Sequence, residues 1–106
     1  MSQTGLEQWI PKQHRAFMKK CLLEEWDNKC AYCAYKQRNR ELTIDHVVPL
    51  SKNGDDSYSN QVPCCRSCNL SKGDRAIRQW YFEQESFTIE RWNKIKQHIE
   101  ENVFAA

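Results

Sequence analysis

The chain contains little glycine and little proline, with three of each among its 106 residues. It therefore lacks the compositional bias of collagen-like, low-complexity or fully disordered proteins. It also lacks any apolar run near the roughly 18 residues of a membrane-spanning helix, which predicts no membrane partner. No apolar segment of the secretory-signal type lies among the first residues, so we expect an intracellular, cytoplasmic protein. At this length we expect a single domain with a modest core.

Cysteine is the exception to these shortages. Six cysteines in a reducing compartment are not expected to form disulfides. Four of them form two C-x-x-C pairs, Cys30 with Cys33 and Cys65 with Cys68, a spacing typical of thiolate ligands to zinc. The 31 residues between Cys33 and Cys65 exceed the roughly 15–20 of a simple zinc ribbon, which predicts further structure between the pairs. Two alternatives stay open: Cys64 replaces Cys65 as a ligand, or the cysteines are buried free thiols.

The charges of the chain are nearly balanced. The formal net charge is +2, and four thiolates with one Zn²⁺ would bring it to about zero. Residues 1–40 hold 8 basic and 4 acidic residues, whereas residues 41–106 hold 8 and 10. The densest basic run contains Lys36, Arg38 and Arg40, which either contact nucleic-acid phosphates or form a solvated turn. Net charge therefore neither favours nor excludes a nucleic-acid partner.

Apolar periodicity predicts helices at both ends of the chain and a β-hairpin between them. The spacing of Met18, Leu22 and Trp26 predicts a first helix over about residues 12–27. Alternating residues predict a strand in 41–47, followed by an antiparallel edge strand in 61–64. Three further helices are expected. The first spans residues 66–72, the second begins after Asp74 as its cap, and the third begins after Thr88 as its cap. The third helix carries an apolar stripe at Ile89, Trp92, Ile95, Ile99 and Val103. The predicted fold class is α+β.

Polar residues able to bind a metal or to catalyse hydrolysis lie between and just after the cysteine pairs. Asp45 and His46 are adjacent, and both can face one site only if the strand bends or ends there. A neutral imidazole can deprotonate water, while Asp45 and Asn69 offer oxygen ligands that suit Mg²⁺ or Mn²⁺. Each of these residues also has an ordinary structural explanation, as a strand-end cap, a buried histidine or a helix cap. The other two histidines, His14 and His98, are expected at the surface.

Three segments of the chain together resemble the HNH endonuclease family: CAYC at 30–33, LTIDHVVPLSKNG at 42–54 and SNQVPCCRSCNLSKG at 59–73. The resemblance implies a ββα-metal core in which a structural zinc joins the two cysteine pairs. It further implies that His46 is the general base, that Asp45 and Asn69 hold a catalytic Mg²⁺ or Mn²⁺, and that Asn60 braces the loop and orients His46. With Asn69 in the third family position, the chain resembles the HNN variant.

The resemblance implies a metal-dependent DNA endonuclease that nicks DNA or cleaves both strands. Lys72 and Arg66 fit contacts to DNA phosphates, or else lie on a solvated helix face. The chain would be a single nuclease domain with a helical arm over 1–28, a zinc-joined core over 29–74 and a helical pair over 75–106. Two other hypotheses stay open: a non-catalytic zinc module that binds nucleic acid or protein, and a domain that acts as a homodimer or within a larger nuclease or DNA-packaging assembly.

Overall fold

The computed structural model describes residues 11–35 and 42–99 of the chain. The elements follow in the order α1 (Pro11–Glu25), β1 (Thr43–His46), β2 (Gln61–Cys64), α2 (Arg66–Lys72), α3 (Ile77–Tyr81) and α4 (Ile89–Ile99). The loop between the strands contains two 3-10 turns, Leu50–Lys52 and Tyr58–Asn60. None of the helices in these residues is long and apolar enough to cross a membrane. The predicted α+β class is confirmed, while the division into arm, core and helical pair stays a prediction.

Strands β1 and β2 form the predicted antiparallel hairpin, with Asp45 opposite Val62 and His46 opposite Gln61. Pro63 pairs with Ile44, which a two-stranded sheet tolerates because each strand has a free edge. Only Cys65 separates β2 from α2, so the hairpin and α2 form a compact ββα unit. Gly73 ends α2 with a φ of 56°, a left-handed conformation that glycine adopts without steric cost.

Helix α1 ends close to the predicted position. Asp27 and Asn28 have φ angles of 59° and 56°, in the left-handed region that Asp and Asn tolerate better than most residues. The Asn28 amide donates to the Leu23 carbonyl at 2.7 Å. Leu22 and Trp26 are buried as the helical spacing predicted, and the turn that follows leads directly to Cys30.

The helical pair differs from its prediction in two details. Thr88 caps α4 as expected, since its hydroxyl accepts the Arg91 amide at 3.1 Å. Ala76 rather than Asp74 precedes α3, and no side chain caps that helix. Ile89 is 54% exposed, so the prediction that it belongs to the buried stripe is wrong. The buried face of α4 consists of Trp92, Ile95 and Ile99, while Val103 lies outside the described residues.

The aromatic core connects the helical pair with the first cysteine pair. Tyr32 lies between Cys30 and Cys33, and its ring meets Trp80 at a centroid distance of 5.1 Å and Tyr81 at 5.5 Å. All three aromatic side chains are fully buried. The first cysteine pair is therefore held from one side by the aromatic residues of α3.

Candidate functional site

The two cysteine pairs converge into one cluster. The Sγ atoms of Cys30, Cys33, Cys65 and Cys68 all lie within 4.8 Å of one another, and those of Cys33 and Cys65 are 3.7 Å apart. A tetrahedral zinc with Zn–S bonds of about 2.3 Å places its sulfur atoms about 3.8 Å apart. Cys64 is not part of this group of converging sulfur atoms, so the cluster consists of the two predicted pairs.

The electrostatics of this cluster favour a bound cation. Burial raises the pKa of Cys33 to about 11, and hydrogen bonding to Cys30 raises the pKa of Cys68. Hydrogen bonds from Cys64 and Cys68 lower the pKa of Cys30. One thiolate is thus stabilised at the expense of its neighbours, and ionisation of all four thiols requires a nearby positive charge. The ligand type, number and spacing fit Zn²⁺.

A second site lies at the end of β1, in a shallow pocket of about 280 Å³. The lining of this pocket includes the predicted residues Asp45, His46 and Asn69. Neighbouring residues of a regular strand face opposite sides of the sheet. Both Asp45 and His46 reach the pocket because β1 ends at His46 and the chain then bends ahead of Pro49.

His46 is paired with a residue that sequence analysis missed. Its Nε2 lies 2.7 Å from Oδ1 of Asp56, while Nε2 of the Gln61 side chain donates to the Asp56 backbone carbonyl at 2.8 Å. An ionised carboxylate only accepts hydrogen bonds, so Nε2 of the neutral imidazole carries the hydrogen and Nδ1 keeps its lone pair. Asp56 belongs to a polar turn, and nothing in its sequence context indicates that it pairs with His46.

Asn60 is completely buried and ties the two sides of the inter-strand loop together. Its Oδ1 accepts the Val48 amide at 2.9 Å, and its Nδ2 donates to the Val48 carbonyl at 3.0 Å and the Asp55 carbonyl at 2.8 Å. Its own carbonyl accepts the Val47 amide at 2.8 Å. Asn60 therefore fixes the backbone after His46 and before Asp56, without any direct contact to the imidazole.

Asn69 is tied to the hairpin by its amide nitrogen. The Thr43 hydroxyl donates to the Cys64 carbonyl at 2.9 Å, so its oxygen is left to accept from Nδ2 of Asn69 at 3.0 Å. This arrangement leaves the amide oxygen of Asn69 as the atom available to a cation. Together with Asp45, Asn69 supplies the hard oxygen ligands that Mg²⁺ and Mn²⁺ prefer.

Asp45 is held by two buried donors. Its Oδ2 accepts the Tyr32 hydroxyl at 2.6 Å and lies 3.1 Å from Nζ of Lys72. Lys72 also donates to the His46 carbonyl at 3.2 Å. Burial, with the negative charge of Asp45, raises the pKa of Tyr32 well above its usual value, so its hydroxyl stays protonated and donates.

The predicted contact between Lys72 and a DNA phosphate is wrong. None of the Lys72 side chain is exposed, and its ammonium group neutralises Asp45 inside the protein. Arg66 is exposed but lines a separate cavity beside Cys33 and Tyr35. The basic run at 36–40 lies outside the described residues, so its contact with phosphate stays a prediction.

A larger cavity of about 620 Å³ includes none of the predicted site residues. Its lining includes Trp26, Tyr58 and His98. His98 is not at the surface, contrary to expectation: 7% of its side chain is exposed, and its Nε2 lies 3.1 Å from the Tyr58 carbonyl and 2.9 Å from the Gln61 carbonyl. From α4, His98 thus supports the end of the loop that carries Asp56.

Comparison with known proteins connects this arrangement to one family. Residues 30–75 match the family model for the HNH endonuclease. YoqL, a candidate HNH endonuclease derived from the SPbeta prophage of Bacillus subtilis (strain 168), is 33% identical over 83 residues, which cover 70% of this chain and 36% of YoqL. The CRISPR-associated endonuclease Cas9 of Campylobacter jejuni is 33% identical over 81 residues, 71% of this chain and 8% of Cas9. The chain therefore spans only a minor part of either relative.

A solved structure supports the fold independently of close sequence similarity. The crystal structure of the Type II-C Cas9 enzyme from Actinomyces naeslundii matches with a TM-score of 0.59 over 77% of this chain and 12% of that chain. The two sequences are 18% identical in this comparison. The shared feature is the backbone arrangement.

Proposed function

We propose that the protein is a nuclease that hydrolyses phosphodiester bonds of DNA with the help of a divalent cation, because residues 30–75 match the family model for the HNH endonuclease. The observation that carries the proposal is the pocket at the end of β1. It brings together an imidazole, a carboxylate and a carboxamide from three positions of the chain, His46, Asp45 and Asn69. Hydrolysis of a phosphodiester needs a base for water and positive charge near the phosphate.

His46 is proposed as the general base. Asp56 holds Nε2, which leaves Nδ1 as the nitrogen that takes a proton from water. Asn60 acts indirectly, because its hydrogen bonds to Val48 and Asp55 fix both backbone segments that carry the His46–Asp56 pair. A base held in one orientation loses less entropy in reaching the reactive geometry.

Asp45 and Asn69 are proposed to hold the catalytic cation through one oxygen atom each. A bound Mg²⁺ or Mn²⁺ would supply positive charge to the phosphate and to the leaving oxygen. The cysteine cluster has a different role in this proposal, since four thiolates close the coordination of a zinc ion and leave no position for a reactive water. Zinc would then be structural, as the joint between the two cysteine pairs.

The proposed substrate is one DNA strand at a time. The described residues contain one such pocket, so a monomer should nick DNA, and cleavage of both strands requires a second copy or a second encounter. Exposed basic residues such as Arg66 are proposed to contact phosphates.

The proposed location of the protein is intracellular. Cysteine ligands that are not joined in disulfides suit a reducing compartment of this kind.

Supercoiled plasmid provides the direct test. Incubation with the protein and Mg²⁺ or Mn²⁺ should convert the plasmid to the nicked form, and EDTA should prevent this conversion. His46→Ala should lower the rate by about 10²–10⁴ and leave plasmid binding intact. His14→Ala is the matched control because His14 is exposed on α1, and it should cleave normally.

Two results would contradict the proposal. Cleavage by His46→Ala at the wild-type rate would exclude His46 as the base. Tight plasmid binding by the wild-type protein, without cleavage under any divalent cation, would instead support the non-catalytic zinc module.

A further inference from the structure

We propose that Tyr32 is a positioning residue for the cation site, and that the first cysteine pair acts on the pocket through it. The inference rests on the proposed function, since it concerns the carboxylate of Asp45 as a cation ligand. Tyr32 lies in the zinc-binding pair Cys30–Cys33, yet its hydroxyl reaches Asp45 on β1 at 2.6 Å. One side chain thus connects the two metal sites.

The hydrogen bonds around Asp45 are unevenly distributed. Tyr32 and Lys72 both contact Oδ2, and within residues 11–35 and 42–99 no donor contacts Oδ1. A hydrogen bond from Tyr32 and an ion pair with Lys72 hold the same oxygen atom, which restricts the rotation of the carboxylate. Oδ1 is then left free at the pocket for a cation, with its orientation set in advance.

Tyr32 is itself held from three directions. Its amide donates to Sγ of Cys30 at 3.4 Å, and its carbonyl accepts the Tyr81 hydroxyl at 2.6 Å and Nε of Arg91 at 3.0 Å. Its ring packs against Trp80. The position of the hydroxyl therefore depends on the cysteine cluster and on helices α3 and α4 together.

A purely structural role makes a different prediction. In that case the Tyr32–Asp45 bond only satisfies a buried carboxylate, and its loss lowers stability without any specific effect on the cation. Tyr58 provides the matched comparison, because it is a half-buried tyrosine whose hydroxyl also donates to a carboxylate, that of Glu25, at 2.6 Å. Glu25 lies on α1 and lines a different cavity from the cation ligand.

The test compares Tyr32→Phe with Tyr58→Phe in the zinc-loaded protein of residues 1–106. Each change removes one oxygen atom, so both variants should fold, retain one zinc per chain and melt at a somewhat lower temperature. Mn²⁺ binding is followed without DNA, by the loss of the electron paramagnetic resonance signal of free Mn²⁺. We expect Tyr32→Phe to weaken Mn²⁺ binding about 10-fold or more, as is common when a ligand loses its hydrogen-bond partner, and Tyr58→Phe to bind as the wild type does.

In the plasmid assay, only Tyr32→Phe should need a higher Mn²⁺ concentration than the wild type for half-maximal cleavage. Equal Mn²⁺ affinity in both variants, with an active wild type, would overturn the positioning role and leave the proposed function in place. A wild-type protein that neither binds Mn²⁺ nor cleaves plasmid would overturn both.

Discussion

Lys72 shows how strongly one buried charge depends on its partner. Its side chain has no exposed surface, and its ammonium group has the Asp45 carboxylate at 3.1 Å. A charge removed from water in this way is tolerated only when it is paired and hydrogen-bonded. The sequence offers no sign of this pairing, because lysine in a short helix is ordinarily exposed.

Lys72→Met should therefore destabilise the protein severely, by about 3–5 kcal/mol. Methionine keeps an unbranched side chain that is one atom shorter, but it leaves the Asp45 carboxylate buried without a counter-charge. Denaturant unfolding of the zinc-loaded protein measures the change. Addition of Asp45→Asn to this variant should recover part of the loss, since it removes the remaining charge. A loss below about 1 kcal/mol in the single variant would show that the pair is not desolvated.

Asp56 should matter more for the rate than its exposed position suggests. Asp56→Ala removes the acceptor of Nε2 of His46, so the imidazole can rotate and can adopt either tautomer. We expect plasmid cleavage to fall about 10-fold or more, with zinc content, Mn²⁺ binding and melting temperature nearly unchanged. Asp55→Ala loses the same charge one position away and serves as the control. Equal activity in the two variants would contradict the pairing.

The inter-strand loop is the element on which the catalytic geometry depends. Its anchor Asn60 was identified from the sequence by family resemblance. The backbone contact that makes Gly54 necessary was not predictable. A Cβ at position 54 would lie 1.8 Å from the Val48 carbonyl oxygen, a distance that requires the backbone to move.

Gly54→Ala should thus displace the backbone that Asn60 holds next to His46. We expect a large loss of plasmid cleavage and a lower melting temperature, while the four cysteines still bind one zinc. Lys52→Ala, at an exposed position in the same loop, should have little effect on any of these measurements. Wild-type activity in Gly54→Ala would mean that the loop adapts without disturbing His46.

The secondary-structure elements differ in how well the sequence predicts them. Helix α1, the two strands and α2 follow from apolar periodicity, alternation and the position of Gly73, which are local signals. The start of α3 was mispredicted because no side chain caps it. Its place is set by packing, since Trp80 and Tyr81 are buried against Tyr32. Tertiary contacts of this kind leave no periodic signal in so short a helix.

The residues of the candidate site also differ in how well the sequence predicts them. Residue type and spacing indicate the cysteine pairs directly, whereas the set of Asp45, His46 and Asn69 was proposed from the resemblance to the HNH endonuclease family. Their partners could not be identified, because Tyr32, Asp56 and Lys72 acquire their roles only when distant segments meet. Each of these three is an ordinary core, turn or helix residue by its sequence context alone.

Zinc should determine whether the chain folds at all. The four cysteines connect the segment before the hairpin with the segment after it, and the core of this short chain is modest. Binding of the metal is then coupled to folding, because a preformed site does not exist in the unfolded chain. Cys33→Ala should consequently lose both zinc and cooperative melting, and a strong chelator should unfold the wild type.

Cys64→Ala is the matched control for this prediction. Cys64 is completely buried but lies outside the four-cysteine cluster, so this variant should retain one zinc per chain and melt cooperatively. Zinc content by atomic absorption and thermal melting by circular dichroism distinguish the outcomes. Loss of zinc in Cys64→Ala would assign the ligand set differently. Normal melting of zinc-free Cys33→Ala would show that the core folds without the metal.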